Sequence, residues 1–303
     1  MAEATSNRLV IGVSAHALFD LEAEAEIART RSPEEYRRHL AQRDAEVLAQ
    51  GRALPVVQAL QRVGERSGRR FELVVLSRSG ADASPRLFTS MHEHAVHATR
   101  AAFTGGEAFA PYLRAFHVDL LLAEDEEEAR SAMVGGTPAA VVTARAEDAK
   151  QPIDQIRIAF DGDATLFSRG PGEEGEGDEV RPEGIEKPLA RLMKAVAELQ
   201  TGDPDKAAVR TALVTRRASP AQERAIKAMR EWNVRLDQAF FVGDLPREEL
   251  LEACRAHLLF DDGGSHFRLP EEIAKADLRE TEAEVSAASS HSPFARLRLR
   301  SSD

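Results

Sequence analysis

Short apolar runs alternate with longer amphipathic stretches along most of the chain. The runs are Leu9–Val13, Leu73–Leu76, Ala101–Phe103, Leu120–Ala123 and Ala139–Val142, then Ile156–Phe160, Ala212–Val214, Ala239–Val242 and Leu258–Phe260. Each is rich in Val, Leu, Ile, Phe or Ala and bounded by turn residues or charges, the pattern of strands buried on both faces. Helices are expected between them. Ser32-Pro33-Glu34-Glu35 places a capping Ser, a first-turn Pro and a Glu three residues on, and Ser219-Pro220-Ala221-Gln222 repeats the arrangement with Gln. After the second, Ile226, Met229 and Trp232 recur at helical spacing. Alternating strands and helices predict an α/β protein with mostly parallel sheets.

The pattern also hints at duplication. Ser77, after Val-Val-Leu, lies 28 residues before Gly105, and Thr215, after Ala-Leu-Val, lies 28 residues before Gly243. The next strand then ends in acids in both halves, Glu124-Asp125 and Asp261-Asp262. The openings match as well: Ile11-Gly-Val-Ser-Ala-His-Ala-Leu-Phe19 against Ile158-Ala-Phe-Asp-Gly-Asp-Ala-Thr-Leu-Phe167. Two related α/β units are expected, residues 1–148 and 149–278, with a loose Ala/Ser/Glu-rich tail over 279–303. Gly170–Glu183, almost without apolar residues, reads as a solvated loop.

Composition narrows the classes. A length of 303 residues allows two ordinary domains, and 43% apolar with 30% charged residues supports a sizeable core. The formal net charge of −11 argues against a nucleic-acid polymer as partner, since that needs many cationic phosphate contacts. No run approaches the ~20 apolar residues of a membrane span. No basic-then-apolar leader is visible at the start, so the cytoplasm is the expected compartment. The lone Cys254 excludes an intrachain disulfide and reads as a small buried apolar residue.

The chemistry concentrates in the second half. Asp161-Gly-Asp163-Ala-Thr165 follows a strand, at the edge where open α/β sheets place their sites. Two acids straddling one turn suit attack on phosphorus by one carboxylate and proton transfer by the other. Gly162 reads as a point of close backbone approach to a phosphate. Thr215 then ends a strand with a hydroxyl for a phosphate oxygen. Arg247 follows the next strand as a cation for the transferring group. Asp261-Asp262 ends another strand with the hard oxygen ligands that Mg²⁺ prefers. In the first half, Ser14 and His16 stand where Asp161 and Asp163 stand in the second, and neither can act as an aspartyl nucleophile. Thr104-Gly105-Gly106, with Glu107, Phe109 and Tyr112, is a loop that could line a base, or a plain strand-to-helix turn. His92, His94 and His97 read as surface or interface histidines.

This order of motifs resembles the haloacid-dehalogenase-like phosphohydrolases. Their pattern is DxDx(T/V), a strand-ending Thr or Ser, a Lys or Arg, and an acidic pair. The chain is similar more closely to the cytosolic type-I 5′-nucleotidase family over about residues 8–268. The likeness rests on Val13-Ser14-x-x-Ala17-Leu18-Phe19, Thr104-Gly-Gly106 with Tyr112-Leu113, and Ala159-Phe-Asp-Gly-Asp-Ala164 with Leu166-Phe-Ser168. It rests also on Lys187-Pro-Leu189, Leu213-Val-Thr-Arg216 and Phe260-Asp-Asp262. His16 stands where the family pattern leads one to expect Arg, and Arg247 where most members have Lys. The resemblance implies two Rossmann-like units, the first degenerate and the second catalytic with a small cap insertion. It implies Mg²⁺-dependent hydrolysis of nucleoside 5′-monophosphates through a phospho-aspartate. Asp161, Asp163, Thr215 and Arg247 would be catalytic, and Asp161, Asp163, Asp261 and Asp262 would hold the metal. Ser14, Thr104, Gly105, Gly106, Lys187 and Arg216 would bind substrate. Another phosphate ester, such as a sugar phosphate, and a nucleotide-binding sensor or scaffold without catalysis remain as alternatives. No membrane partner is expected, and a homo-oligomer is left open.

Overall fold

The structure is a computed structural model that describes residues 8–67, 70–144, 152–162, 196–197, 199–200, 207–216, 221–231, 233–243, 245 and 248–260. All nine apolar runs form strands. The first half contains β1 (Arg8–Ser14), α1 (Ala15–Leu18), α2 (Glu22–Thr30), α3 (Pro33–Ala41), α4 (Ala53–Ser67), β2 (Arg70–Ser77) and α5 (Ser84–Glu93). It continues with β3 (Arg100–Phe103), α6 (Ala110–Ala115), β4 (Leu120–Ala123), α7 (Glu126–Val134) and β5 (Ala139–Val142). The second half contains β6 (Ile156–Asp161), β7 (Val209–Thr215), α8 (Ala221–Glu231), β8 (Gln238–Phe241), α9 (Glu248–Cys254) and β9 (Leu258–Phe260). The expected capping box is present at α3. The Glu35 N–H donates to Ser32 Oγ at 3.3 Å, and the Ser32 N–H donates to Glu35 Oε2 at 3.0 Å.

The strands join into one sheet in the order β3-β2-β1-β4-β5-β9-β6-β7-β8. Helices cover both faces, because successive side chains of a strand point to opposite sides. On one face Ile11, Val75, Ile158 and Leu213 pack with Leu54 and Val57 of α4 and Met229 of α8. On the other, Val10, Leu121, Val141 and Ala159 pack with Leu113 of α6, Ala129 of α7 and Cys254 of α9.

The order contains the same pattern twice. Counted outward, β3-β2-β1-β4 in the first half corresponds to β8-β7-β6-β9 in the second, all pairs parallel. The registers correspond residue by residue. Ser14 pairs with Leu76 as Asp161 pairs with Val214, and Ser77 pairs with Phe103 as Thr215 pairs with Phe241. The bond just past these pairs is repeated too: Thr104 N–H to Ser77 O at 2.8 Å, and Val242 N–H to Thr215 O at 2.9 Å. Gly105 and Gly243 then both turn through the left-handed region, at φ 60° and 55°. The register refines one correspondence. Val13 pairs with Leu122 and Phe160 with Phe260, so Ala123-Glu124, not Glu124-Asp125, matches Asp261-Asp262.

The halves meet at β5 and β9, the one antiparallel strand pair among the described residues, with Val141 opposite Leu259 and Val142 opposite Leu258. Thr143 extends the seam: its N–H donates to His257 O at 3.0 Å and its hydroxyl to Ala256 O at 2.7 Å. Antiparallel joining of two parallel sets has a direct consequence. The carboxyl ends of β1–β5 and those of β6–β9 lie at opposite edges of the sheet.

Candidate active site

The strand order places β1 and β6 at equivalent points, each flanked by the second and fourth strands of its own half, with connections leaving in opposite directions. Such a reversal opens a crevice at the carboxyl edge, where open α/β sheets bind ligands. At the carboxyl end of β6, Asp161 ends its strand with only 3% of its surface exposed, and Thr215 ends the neighbouring strand fully buried. The two residues are one register step apart, since Asp161 lies opposite Val214. Gly162 closes the gap between them. A Cβ built on Gly162 would lie 3.1 Å from Thr215 Cβ and 3.6 Å from Thr215 Oγ1. On the other side of β6, Phe160 and Phe260 are register partners and stack, with ring centroids 5.2 Å apart and planes 18° from parallel. These are the residues immediately before Asp161 and before Asp261. Arg216 is exposed and its Nε donates to Gly243 O at 3.4 Å. Asp163, Lys187, Arg247, Asp261 and Asp262 lie outside the described residues.

The first-half residues gather at the other edge. Ser14 ends β1 and Ser77 ends β2, both buried, with His16 in α1 and Arg78 following Ser77. Burial, then the Arg78 charge, lowers the His16 pKa, which keeps its imidazole neutral near pH 7. The structure therefore brings together Asp161, Gly162, Thr215 and Arg216. It does not bring Ser14, Thr104, Gly105 and Gly106 to their side of the sheet.

The Thr104–Gly106 loop also has a different local character from a phosphate cradle. Its three N–H groups are engaged: Thr104 with Ser77 O, Gly105 with Ser79 O at 3.2 Å and Gly106 with Arg78 O at 2.7 Å. The Thr104 hydroxyl donates to Glu107 O at 2.7 Å, and the Tyr112 hydroxyl to Glu107 Oε2 at 2.6 Å. Phe109 is buried beneath the Arg78 guanidinium, 5.6 Å from its ring centre. The glycines serve the backbone path from β3, since φ is positive at both.

Other residues singled out by the sequence have structural partners. His94 packs its ring 5.6 Å from that of Phe19 and bonds Leu48 O through Nε2 at 2.9 Å. Cys254 is buried, and burial raises its thiol pKa, which leaves it protonated and unreactive. Sequence reasoning did not find Glu128, a buried carboxyl at the first-half edge. Burial first, then neighbouring acids, pushes its pKa up to about 7, against a hydrogen bond from the Glu124 N–H that lowers it. Its only sequence signal was its place in the Glu126-Glu127-Glu128 run, which reads as an ordinary solvated first turn.

Fold and strand order together define a doubly wound α/β protein of the haloacid-dehalogenase-like kind, with the same order of four parallel strands in each half. The model of the 5′-nucleotidase family matches residues 1–277, and the chain belongs to that family. Human cytosolic 5′-nucleotidase 1B is 28% identical over 289 residues, covering 86% of this chain. The chain spans about half of that relative's length, 47%. A solved structure described as "S. aureus MnaA-UDP co-structure" aligns over 83% of this chain and 73% of its own at 11% identity, with a TM-score of 0.20. That likeness is too slight to carry an argument. Among the described residues, no helix is long and apolar enough to cross a membrane.

Proposed function

We propose that the chain hydrolyses nucleoside 5′-monophosphates to nucleoside and phosphate at the β6 crevice, with Mg²⁺, in the cytoplasm. The observation that carries the reading is the placement of Asp161 and Thr215 at adjoining strand ends beside the Phe160–Phe260 stack. The Asp161 carboxylate attacks phosphorus, an acyl-phosphate bond forms, and the bond from phosphorus to the 5′-oxygen breaks. Asp163 gives its proton to the leaving 5′-oxygen. It then takes a proton from the water that attacks phosphorus, which releases phosphate and returns Asp161 to the carboxylate. The Thr215 hydroxyl donates to a phosphoryl oxygen, and Arg247 offsets the charge there. Arg216 and Lys187 are assigned to substrate binding.

The donor set suits a hard cation. Asp161 is a carboxylate largely withdrawn from water, and Asp163, Asp261 and Asp262 add oxygen ligands of the kind Mg²⁺ takes. These four are the residues we assign to hold it. When bound, the ion supplies positive charge against the phosphoryl oxygens.

Asp161→Asn keeps the shape of the strand end and removes the nucleophile. Release of inorganic phosphate from a nucleoside monophosphate should disappear, with the far-ultraviolet circular dichroism unchanged. Phosphate release at the wild-type rate overturns the mechanism. A panel of nucleoside and sugar monophosphates, read the same way, tests the substrate class; preference for sugar phosphates overturns the nucleotide assignment.

A further inference from the structure

We propose that Gly162 is a positioning residue for Thr215: the missing Cβ between the two aspartates is what leaves Thr215 its place beside Asp161. The inference rests on the reading of Asp161 and Thr215 as the phosphate site. Glycine is not needed at position 162 for an unusual backbone, since its φ is not in the left-handed region. It is needed for space. A Cβ at position 162 would come within 2.9 Å of Leu213 Cδ1 and 3.1 Å of Thr215 Cβ. Leu213 and Thr215 are both fully buried, so neither has open space to swing into. Thr215 Cβ is also tied to the β7 backbone. It can yield only if the strand end or the side chain above it moves.

The duplicate unit serves as an internal control. By register, Ala15 stands where Gly162 stands, Val75 where Leu213 stands, and Ser77 where Thr215 stands. The half that lacks the nucleophile therefore has a Cβ at this position, and one of its two neighbours is smaller by the atom at issue. Val75 has no δ-carbon to meet Ala15, while Ser77 keeps the Cβ and hydroxyl that stand nearest position 162 in Thr215 and lacks only the γ-methyl. Ala15 is completely buried, so that combination packs without a gap. The second half holds the reverse combination: no Cβ at position 162, and larger partners around the space. Leu213 explains part of that exchange through the core. The 3.1 Å approach to Thr215 Cβ is the contact that bears on the site.

The two contacts can be separated. Gly162→Ala should lower kcat/KM for a nucleoside monophosphate by about 10- to 100-fold, the scale expected when a substrate-positioning group shifts by up to 1 Å. It should also lower Tm. Adding Leu213→Val removes the atom at 2.9 Å and should return Tm toward the wild-type value. Activity should stay low in the double variant, because the 3.1 Å contact with Thr215 persists. If Gly162→Ala alone does not fold, the double variant carries the comparison. Activity that recovers in step with Tm, or a Gly162→Ala enzyme with wild-type kinetics, overturns the proposal. Asp161→Asn is run alongside. If it retains activity, the reading of the site fails. If it is inactive while Gly162→Ala is fully active, the positioning role alone fails.

Discussion

Glu128 sits below the surface at the carboxyl edge of the first half, where its carboxylate accepts from the Glu124 N–H at 3.1 Å. With a pKa near 7 in the folded chain and an ordinary one when unfolded, the folded state binds more protons between about pH 4.5 and 7. Stability from this group therefore falls as pH rises through that window and stays low above it. Glu124 is exposed, so although desolvation and then Asp125 raise it to about 7, water screens what it adds to this slope. Glu128→Gln keeps an oxygen to accept from the Glu124 N–H and removes the titration. It should stabilise the protein by about 1–3 kcal/mol at pH 8 and flatten the pH dependence of urea unfolding below pH 7. An unchanged slope would mean that Glu128 is not the titrating group. Burial of this kind is invisible to sequence, because Glu126, Glu127 and Glu128 look alike and only the last faces inward.

At the scale of elements, sequence and structure agree where period and length decide. The nine apolar runs are strands, and Ser32-Pro-Glu-Glu35 caps α3 with both hydrogen bonds of the box. Ser32→Ala should cost about 1 kcal/mol by denaturant titration. Strand ends were harder to read. The sequence stops β6 at Phe160, yet Asp161 still pairs with Val214, because a polar residue at a strand tip costs nothing while its backbone stays in the ladder. The Phe160–Phe260 stack was also hidden, since it depends on β6 and β9 being neighbours. Both rings are buried to within 2% of complete. Phe260→Ala should destabilise the protein by about 3–5 kcal/mol. Phe260→Leu, which keeps most of the volume, should cost about 1 kcal/mol and lower kcat, because the residue sits directly before Asp261. Wild-type kcat in Phe260→Leu would separate the stack from catalysis.

For the whole molecule, the duplication was legible from spacing, but the direction of joining was not. Ala139–Val142 and Leu258–Phe260 are both short buried apolar runs, and nothing in such a run distinguishes a parallel from an antiparallel neighbour. The seam decides which loops share an edge with Asp161, and it sets Thr104–Gly106 apart from it. Gly105→Asn tests this cleanly. Asn tolerates the left-handed backbone, and a Cβ at position 105 meets no atom within 4 Å. KM for a nucleoside monophosphate should be unchanged; a large rise would bring the loop into the pocket.

The antiparallel seam bears on how independent the two halves are. Twin units that faced the same way would have crowded each other's crevices, and a charge lost in one would have been felt in the other. Set back to back across β5 and β9, they have separate fates. Ser14 and His16 stand at one rim and Asp161 at the far rim, with the buried Val, Leu and Ala of the sheet between them, so a change at one rim need not reach the other.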